Sequence, residues 1–217
     1  MNYSKINVEY IDHMGTDLSV VNAARVSFDK ESALVDGILS STDEKLISYL
    51  ATHGHWSPFA HTSIQLRVKA PIFIARQLVK HQVGGVWNEV SRRYVSSEVE
   101  LFAPYSWRGK PANAKQGSTG LVDDQSKYNG IMDKVYELAI DSYNTMIEEG
   151  VAPEQARMVL PLGSMTEWYW TGSLMFWARV CKQRLDGHAQ EEAQIVAKLI
   201  SEQCSKLYPI SWAVLMK

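Results

Sequence analysis

The sequence is poor in cysteine, carries no long apolar run and has no excess of charge of either sign, and each shortage removes a class of function. Its two cysteines, Cys181 and Cys204, are not in CxxC spacing. Neither a disulfide framework nor a structural zinc site can be built from them alone, and a reducing, cytoplasmic compartment is the simplest expectation. No apolar stretch approaches the roughly 18 residues of a membrane-crossing helix. The opening MNYSKINVEYIDHMG has no apolar h-region, so the chain reads as starting at Met1 and engaging no membrane. With 22 Lys and Arg against 24 Asp and Glu, the formal net charge is -2. That is no field for gathering nucleic acid from a distance, so any phosphate must be held locally. Neither GxxxxGK nor GxGxxG occurs, which removes the Walker and Rossmann glycine loops.

What is present is enough apolar material for one core: 217 residues, 46% of them hydrophobic, predict a single domain over 1–217. Ser41 or Thr42 can cap a helix whose first turn holds Asp43 and Glu44, whose apolar face is Leu46, Ile47 and Leu50, and which stops near Gly54. From Ser63, the alternation of Ile64, Leu66 and Val68 with Gln65, Arg67 and Lys69 predicts a strand with one wet face. Pro71 can then open a helix over 71–82. The stretch 104–120, PYSWRGKPANAKQGSTG, reads as a mobile surface loop. A long packing helix follows, with Tyr128, Met132, Val135, Leu138 or Ala139, and Ile147 turned inward and Gly150 as its stop. A strand at 165–170, a helix ending near Arg184 and another over 188–204 complete an α+β pattern in which helices predominate.

Three polar clusters can carry chemistry. The densest holds Arg76, Gln77, Lys80, His81, Gln82, two glycines, then Asn88, Glu89, Ser91, Arg92, Arg93 and Tyr94. Gly84 and Gly85 permit close backbone approaches, and Ser91 and Arg93 supply a hydroxyl and a guanidinium fork suited to phosphate oxygens. A solvated helix end followed by a charged edge strand accounts for the same residue types equally well. The second cluster, Arg184, Asp186, His188, Gln190, Glu191 and Glu192, lies where a helix start exposes amide donors, and it also reads as a plain capped start. The third, HGHWSPFAH, offers His53, His55 and His61 to a metal. No HExxH, Asp-rich loop or cysteine accompanies them, so packed or stacked histidines and no metal are expected. Trp168, Tyr169 and Trp170 read as core.

Taken in order, MGTDLSVVNAARVSF, HGHWSPFAH, VKAPIFIARQ, NEVSRRY, ARMVLPLGSMTEWYWTGSL and RLDGHAQ resemble the flavin-dependent thymidylate synthase family across nearly the whole chain. The family signature is Arg-His-Arg, seven residues, then Ser. Here Lys80-His81-Gln82 is followed by eight residues before Ser91. The central histidine stays; lysine keeps one cation without the planar fork, and glutamine keeps donors without charge, so contacts to a flavin must be rearranged.

The resemblance implies a mainly antiparallel sheet packed with several helices. It implies a dUMP site lined by Gln77, Lys80, Glu89, Ser91, Arg92, Arg93 and Arg157, with Arg184 as the catalytic residue that polarises the uracil ring. It implies an FAD site approached by Ser27, Ser57, Lys80, His81, Gln82, Glu89, Ser173, Leu174, Met175 and His188, and by Arg179 where the family often has Asn. It also implies a homotetramer with active sites between subunits.

The activity implied is reductive methylation of dUMP to dTMP, with methylenetetrahydrofolate as carbon donor and NADPH as reductant. Uracil C5 is a poor nucleophile, and the unrelated cysteine-dependent thymidylate synthases activate it by thiolate addition at C6. Neither cysteine here has their Pro-Cys-Gln setting, so activation is expected to be electrostatic. Two rivals remain in view. One is a nucleotide-binding module without turnover, holding phosphate on Ser91 and Arg93; the other is a metal-dependent phosphohydrolase on His53, His55 and His61.

Overall fold

A computed structural model describes residues 1–95, 98–112 and 117–217. Among them the strands are β1 (Asn7–Met14), β2 (Ser63–Pro71), β3 (Gly85–Glu89), β4 (Arg108–Gly109), β5 (Thr119–Leu121) and β6 (Met165–Gly172). The α-helices are α1 (Asp17–Arg25), α2 (Ser41–Thr52), α3 (Ser57–Ala60), α4 (Ile72–Leu78), α5 (Gln125–Glu148), α6 (Pro153–Ala156), α7 (Leu174–Arg184), α8 (Glu191–Leu207) and α9 (Pro209–Leu215). The main sheet has the order β1-β2-β6-β3 with every neighbouring pair antiparallel, and β4 pairs with β5 alone. The α+β class with an antiparallel sheet is therefore as expected.

The alternation in β2 does what its pattern predicts. Ile64, Leu66, Val68 and Ala70 are buried and lie opposite Gly172, Trp170, Trp168 and Thr166 of β6. The other face is polar: Gln65 bonds Thr171, Arg67 pairs with Glu167, and Lys69 Nζ lies 2.6 Å from Glu100. Helix α7 covers the apolar face. Trp170 meets Phe176 and Trp177 edge-on at 5.5 and 5.0 Å between ring centroids, and Trp87 of β3 stacks on Trp168 at 4.2 Å. Trp168 and Trp170 are core, as read; Tyr169, between them, faces outward and is exposed. A smaller cluster, built on Val99, Leu101, Tyr136, Tyr143 and Ala156, packs beneath α5.

Several boundaries differ from the sequence reading, each for a local reason. The helix expected over 71–82 runs only from Ile72 to Leu78, because Pro71 is still strand and serves as the cap. The chain then turns at Val79 and Lys80, which brings His81 back towards α7. Helix α5 is inward through Met132, Tyr136, Ile140, Tyr143 and Ile147, whereas Val135 and Leu138 are 54% and 70% exposed. It carries apolar residues on two stripes, and periodicity alone cannot say which one packs. The stretch 104–120 is not simply a loop, since it contributes β4 and β5; residues 113–116 of it lie outside the described residues. Strand β1 escaped the pattern because its register shifts between Tyr10 and Asp12, and a bulge of this kind interrupts the period-two signal.

Gly85 and Gly172 face each other across β3 and β6, and the ring of Phe176 lies directly on them. A Cβ at Gly172 would meet Phe176 Cδ1 at 2.1 Å, and one at Gly85 would meet Cζ at 2.5 Å. Gly172→Ala is therefore expected to destabilise the fold by about 1–3 kcal/mol, read as a lower urea midpoint. Adding Phe176→Leu should return part of the loss. An unchanged midpoint for the single variant would contradict this packing.

Candidate active site

The turn after α4 and the last residue of α7 are far apart in sequence and meet in space. Arg184 Nε donates to His81 Nε2 at 3.0 Å. An Nε2 that accepts must carry a lone pair, so His81 is neutral with its proton on Nδ1. Burial first, and the Arg184 cation second, hold its pKa below the usual 6.5. Burial also pulls the Arg184 pKa down, but a guanidinium stays charged in proteins. The pair is thus a fixed cation held by a neutral acceptor.

Gln77, one turn before that point on α4, has a buried Oε1 with no hydrogen-bond partner among the described residues. It shares a cavity of about 450 Å³ with Arg184, Arg108, Ser118, His188 and Gln190. A buried acceptor left unpaired costs about 1–3 kcal/mol. Beside it a second cavity of about 230 Å³ is lined by Lys80, His81, Gln82, Val83, Phe176 and Arg179. Arg179 Nη2 is fixed there by the Val83 carbonyl at 2.8 Å. A third cavity, about 280 Å³, gathers Glu89, Arg92 and Arg157 with Lys69, Glu98 and Glu100. Glu89 accepts from Thr166 Oγ1 at 2.8 Å and from Trp87 Nε1 at 3.2 Å.

The expected site residues are therefore grouped in three places. Gln77, Arg184 and His188 line the first cavity; Lys80, His81, Gln82 and Arg179 the second; Glu89, Arg92 and Arg157 the third. Ser91 and Arg93 line none of these: Arg93 Nε donates to Ser91 Oγ at 3.1 Å, and its guanidinium sits over the Tyr94 ring. Ser27 and Ser57 are exposed on the α1 and α3 side of the fold. Ser173 caps α7 by accepting the Phe176 amide, and Met175 is half-buried against the core. Leu174 corrects one expectation: its side chain is 0% exposed and belongs to the core, while its amide is taken by Thr62 Oγ1. Gly84 and Gly85, read as permitting close backbone approaches, make room for the Arg179 guanidinium and the Phe176 ring.

Two further features bear on the chemistry. Cys181 and Cys204 are both buried and free. Burial pushes the Cys181 thiol up to about 12 and the Cys204 thiol well above its ordinary value. His53 stacks on Tyr49 at 4.0 Å and bonds its carbonyl, and no group of three potential ligands suited to a metal occurs among the described residues. A residue missed in the sequence is Arg108, which lines the first cavity and pairs with both Glu191 and Glu192. Its partners lie more than 80 positions away, so nothing near it in the sequence announces the contact.

Comparison with known proteins adds an independent line. The family model for thymidylate synthase complementing proteins matches residues 9–210. A flavin-dependent thymidylate synthase of Thermus thermophilus is 38% identical over 206 residues, 95% of this chain and 74% of that protein. One from Kosmotoga olearia is 37% identical over 93% of this chain and 87% of its own length. Among solved structures, the UMP/dUMP methylase PolB of Streptomyces cacaoi, bound with 5-Br dUMP, superposes with a TM-score of 0.87 at 31% identity, covering 98% of this chain and 95% of that one.

The depressed His81 pKa has a measurable consequence. Near pH 6.5 the unfolded chain takes up a proton that the folded chain refuses until its lower pKa is reached. Stability contributed by this group is present above pH 6.5, falls as the pH drops towards the folded pKa and is lost below it. Urea midpoints taken from about pH 7 to about pH 5 should fall more steeply for the wild type than for His81→Gln, which keeps an acceptor but cannot titrate. Parallel slopes would remove His81 from the account.

Proposed function

The chain belongs to the flavin-dependent thymidylate synthase family, and we propose from that membership and the geometry around Arg184 that it converts dUMP to dTMP by reductive methylation. In this reading methylenetetrahydrofolate donates the carbon, FAD is the cofactor and NADPH the reductant. The observation that carries it is that Arg184, held from outside by His81, and Gln77, whose buried Oε1 is unpaired, line one cavity.

The residues present fit dUMP and FAD. Gln77 Oε1 is an acceptor in need of a donor, and a pyrimidine N3–H is one. Lys80 and Arg179 bring two cations to the cavity beside it, which suits flavin phosphates, with Gln82, His81, Ser173, Met175 and His188 as the neighbouring polar and packing groups. Glu89, Arg92 and Arg157 in the third cavity, with Ser91 and Arg93 near them in sequence, suit the sugar and phosphate of dUMP. Held in the second cavity, a flavin would supply the hydride that completes the methyl group.

The protein's own part is binding, orientation and charge. Arg184 spends its Nε on His81, which fixes the plane of the guanidinium and leaves the Nη groups to face the ring, where they stabilise negative charge as it develops on the uracil. Its partial burial strengthens that effect, because little water competes. Neither thiol can serve as a nucleophile at C6, since burial keeps both protonated. Electrostatic activation is what remains to this chain.

The proposal includes assembly as a homotetramer with shared active sites. Expected nucleotide contacts are spread over three cavities of one chain, and a second copy would complete each site. The exposed stripe of Ile131, Val135 and Leu138 on α5 supports self-association, since apolar surface of this kind favours burial. The family match over 9–210 supports one domain, and a cytoplasmic location goes with the substrates. No described helix is long and apolar enough to cross a membrane.

Purified protein given FAD should show flavin absorbance that bleaches with NADPH under anaerobic conditions. The bands should return only when dUMP and methylenetetrahydrofolate are added and dTMP forms. A protein that binds dUMP but never flavin would replace this reading with the non-catalytic module. Arg184→Ala should keep the flavin bands and lower dTMP formation by about 10²–10³-fold. The pair Cys181→Ala and Cys204→Ala should retain turnover, and its loss would return a thiol to the mechanism.

A further inference from the structure

We propose that Arg108 is a positioning residue for the nucleotide cavity: it clamps the β4–β5 hairpin to the first turn of α8 and so holds the wall that faces Arg184 and Gln77. The inference rests on the nucleotide reading of that cavity and goes beyond it, because Arg108 belongs to none of the segments that resemble the family.

The clamp uses nearly the whole guanidinium. Nη2 reaches both carboxylate oxygens of Glu192 at 2.7 and 2.9 Å, Nη1 reaches Glu191 at 2.7 Å, and Nε donates to Ser118 Oγ at 3.0 Å. Strand β4, the start of β5 and the N-terminal turn of α8 are thus joined through one side chain. The hairpin's base is tied separately to α5, where Gln125 accepts from the Trp107 amide at 2.7 Å and donates to the Trp107 and Val122 carbonyls. Among the described residues, the Arg108 clamp ties the hairpin towards the cavity. Arg108, Ser118 and Gln190 line both this cavity and the apolar one next to it, which contains Phe73, Phe102 and Trp107, so the clamp belongs to the wall the two share.

The energetics make the clamp a fixed part rather than a loose surface pair. Glu192 keeps 6% of its side-chain exposure and Arg108 keeps 18%. Removing one partner of so buried a pair leaves the other charge uncompensated, whereas replacing both with apolar groups can be nearly neutral. With four of its five donors on protein oxygens, Arg108 acts on the ligand through the wall it fixes, and misplacing such a wall by an ångström is costly to binding and catalysis.

The test compares wild type, Arg108→Met, Glu192→Gln and the double variant Arg108→Met with Glu192→Leu. Each is followed by calorimetric titration with dUMP, by KM and kcat for dTMP formation, and by flavin absorbance. Arg108→Met and Glu192→Gln should each weaken dUMP binding by about tenfold or more, with KM rising in step, kcat changing less and the flavin bands retained. The double variant should recover most of the affinity. If Arg108→Met does not fold, Glu192→Gln, which keeps size and hydrogen-bonding capacity, carries the test. Wild-type affinity in both single variants overturns the proposal. A double variant as weak as Arg108→Met also overturns it, because Arg108 would then touch the nucleotide itself. A wild type that fails to bind dUMP brings down the nucleotide reading and this inference together, and is told apart from the other outcomes by that.

Discussion

The site hangs from a contact between a ring and two missing side chains. The Phe176 ring sits against Gly85 and Gly172, closer than any Cβ would permit, and this lets α7 press against the sheet along Trp170 and Trp177. Once α7 is seated there, its length decides where its last residue falls. Arg184 ends within hydrogen-bond distance of His81, and Arg179, five residues earlier, reaches the turn that contains Val83. The same glycine pair fixes the register of β3 on β6, which carries Glu89 to Thr166. A bulkier residue at either glycine would lift the helix and displace groups belonging to all three cavities.

Burial then sets the charge states that the geometry requires. It lowers the His81 pKa and so supplies a neutral acceptor for Arg184. It raises both thiols, and so withdraws the cysteine nucleophile that another route to the same product would use. Cys181 stands one helical turn before Arg184 on α7, yet it points into the core with its Sγ against the Ala197 carbonyl. One helix thus hides its thiol on the inner face and delivers its guanidinium at the end.

The strand β2, the acidic first turn of α2 and the stop of α5 at Gly150 were legible because their signals are local: alternation, hydroxyls ahead of acidic residues, a glycine after an apolar repeat, although Ser40 rather than Ser41 or Thr42 caps α2. The sequence was silent where the determinant is remote or irregular. The bulge in β1 broke its alternation, and α5 offered two apolar stripes of which only one packs. At the site, His81 and Arg184 were named through likeness to a family, while their hydrogen bond joins positions 103 residues apart. No spacing rule reaches across that interval. The same holds for Arg108 and Glu192, and for the buried, unpaired oxygen of Gln77, whose burial depends on neighbours from other elements.

The departures from the family signature become one coherent change when they are placed in space. Gln82 stands where the signature has its second arginine, and Arg179 stands where an asparagine is common. These look unrelated in sequence, but both side chains line the same cavity with Lys80. The cavity keeps two cations, with one of them now issuing from α7 instead of the loop. The loop, in turn, must receive the guanidinium. Gly84 has a φ of +84°, and a Cβ there would lie 3.3 Å from Arg179 Nη2, so glycine gives both the turn and the space. Val83 projects outward while its carbonyl accepts from Arg179. In the proposed reading, flavin phosphates would be opposed here by a rigid fork on a helix rather than by a fork on a loop. That favours fixed geometry over adaptability, because the helix is held by the same glycine-seated ring that holds the rest of the site.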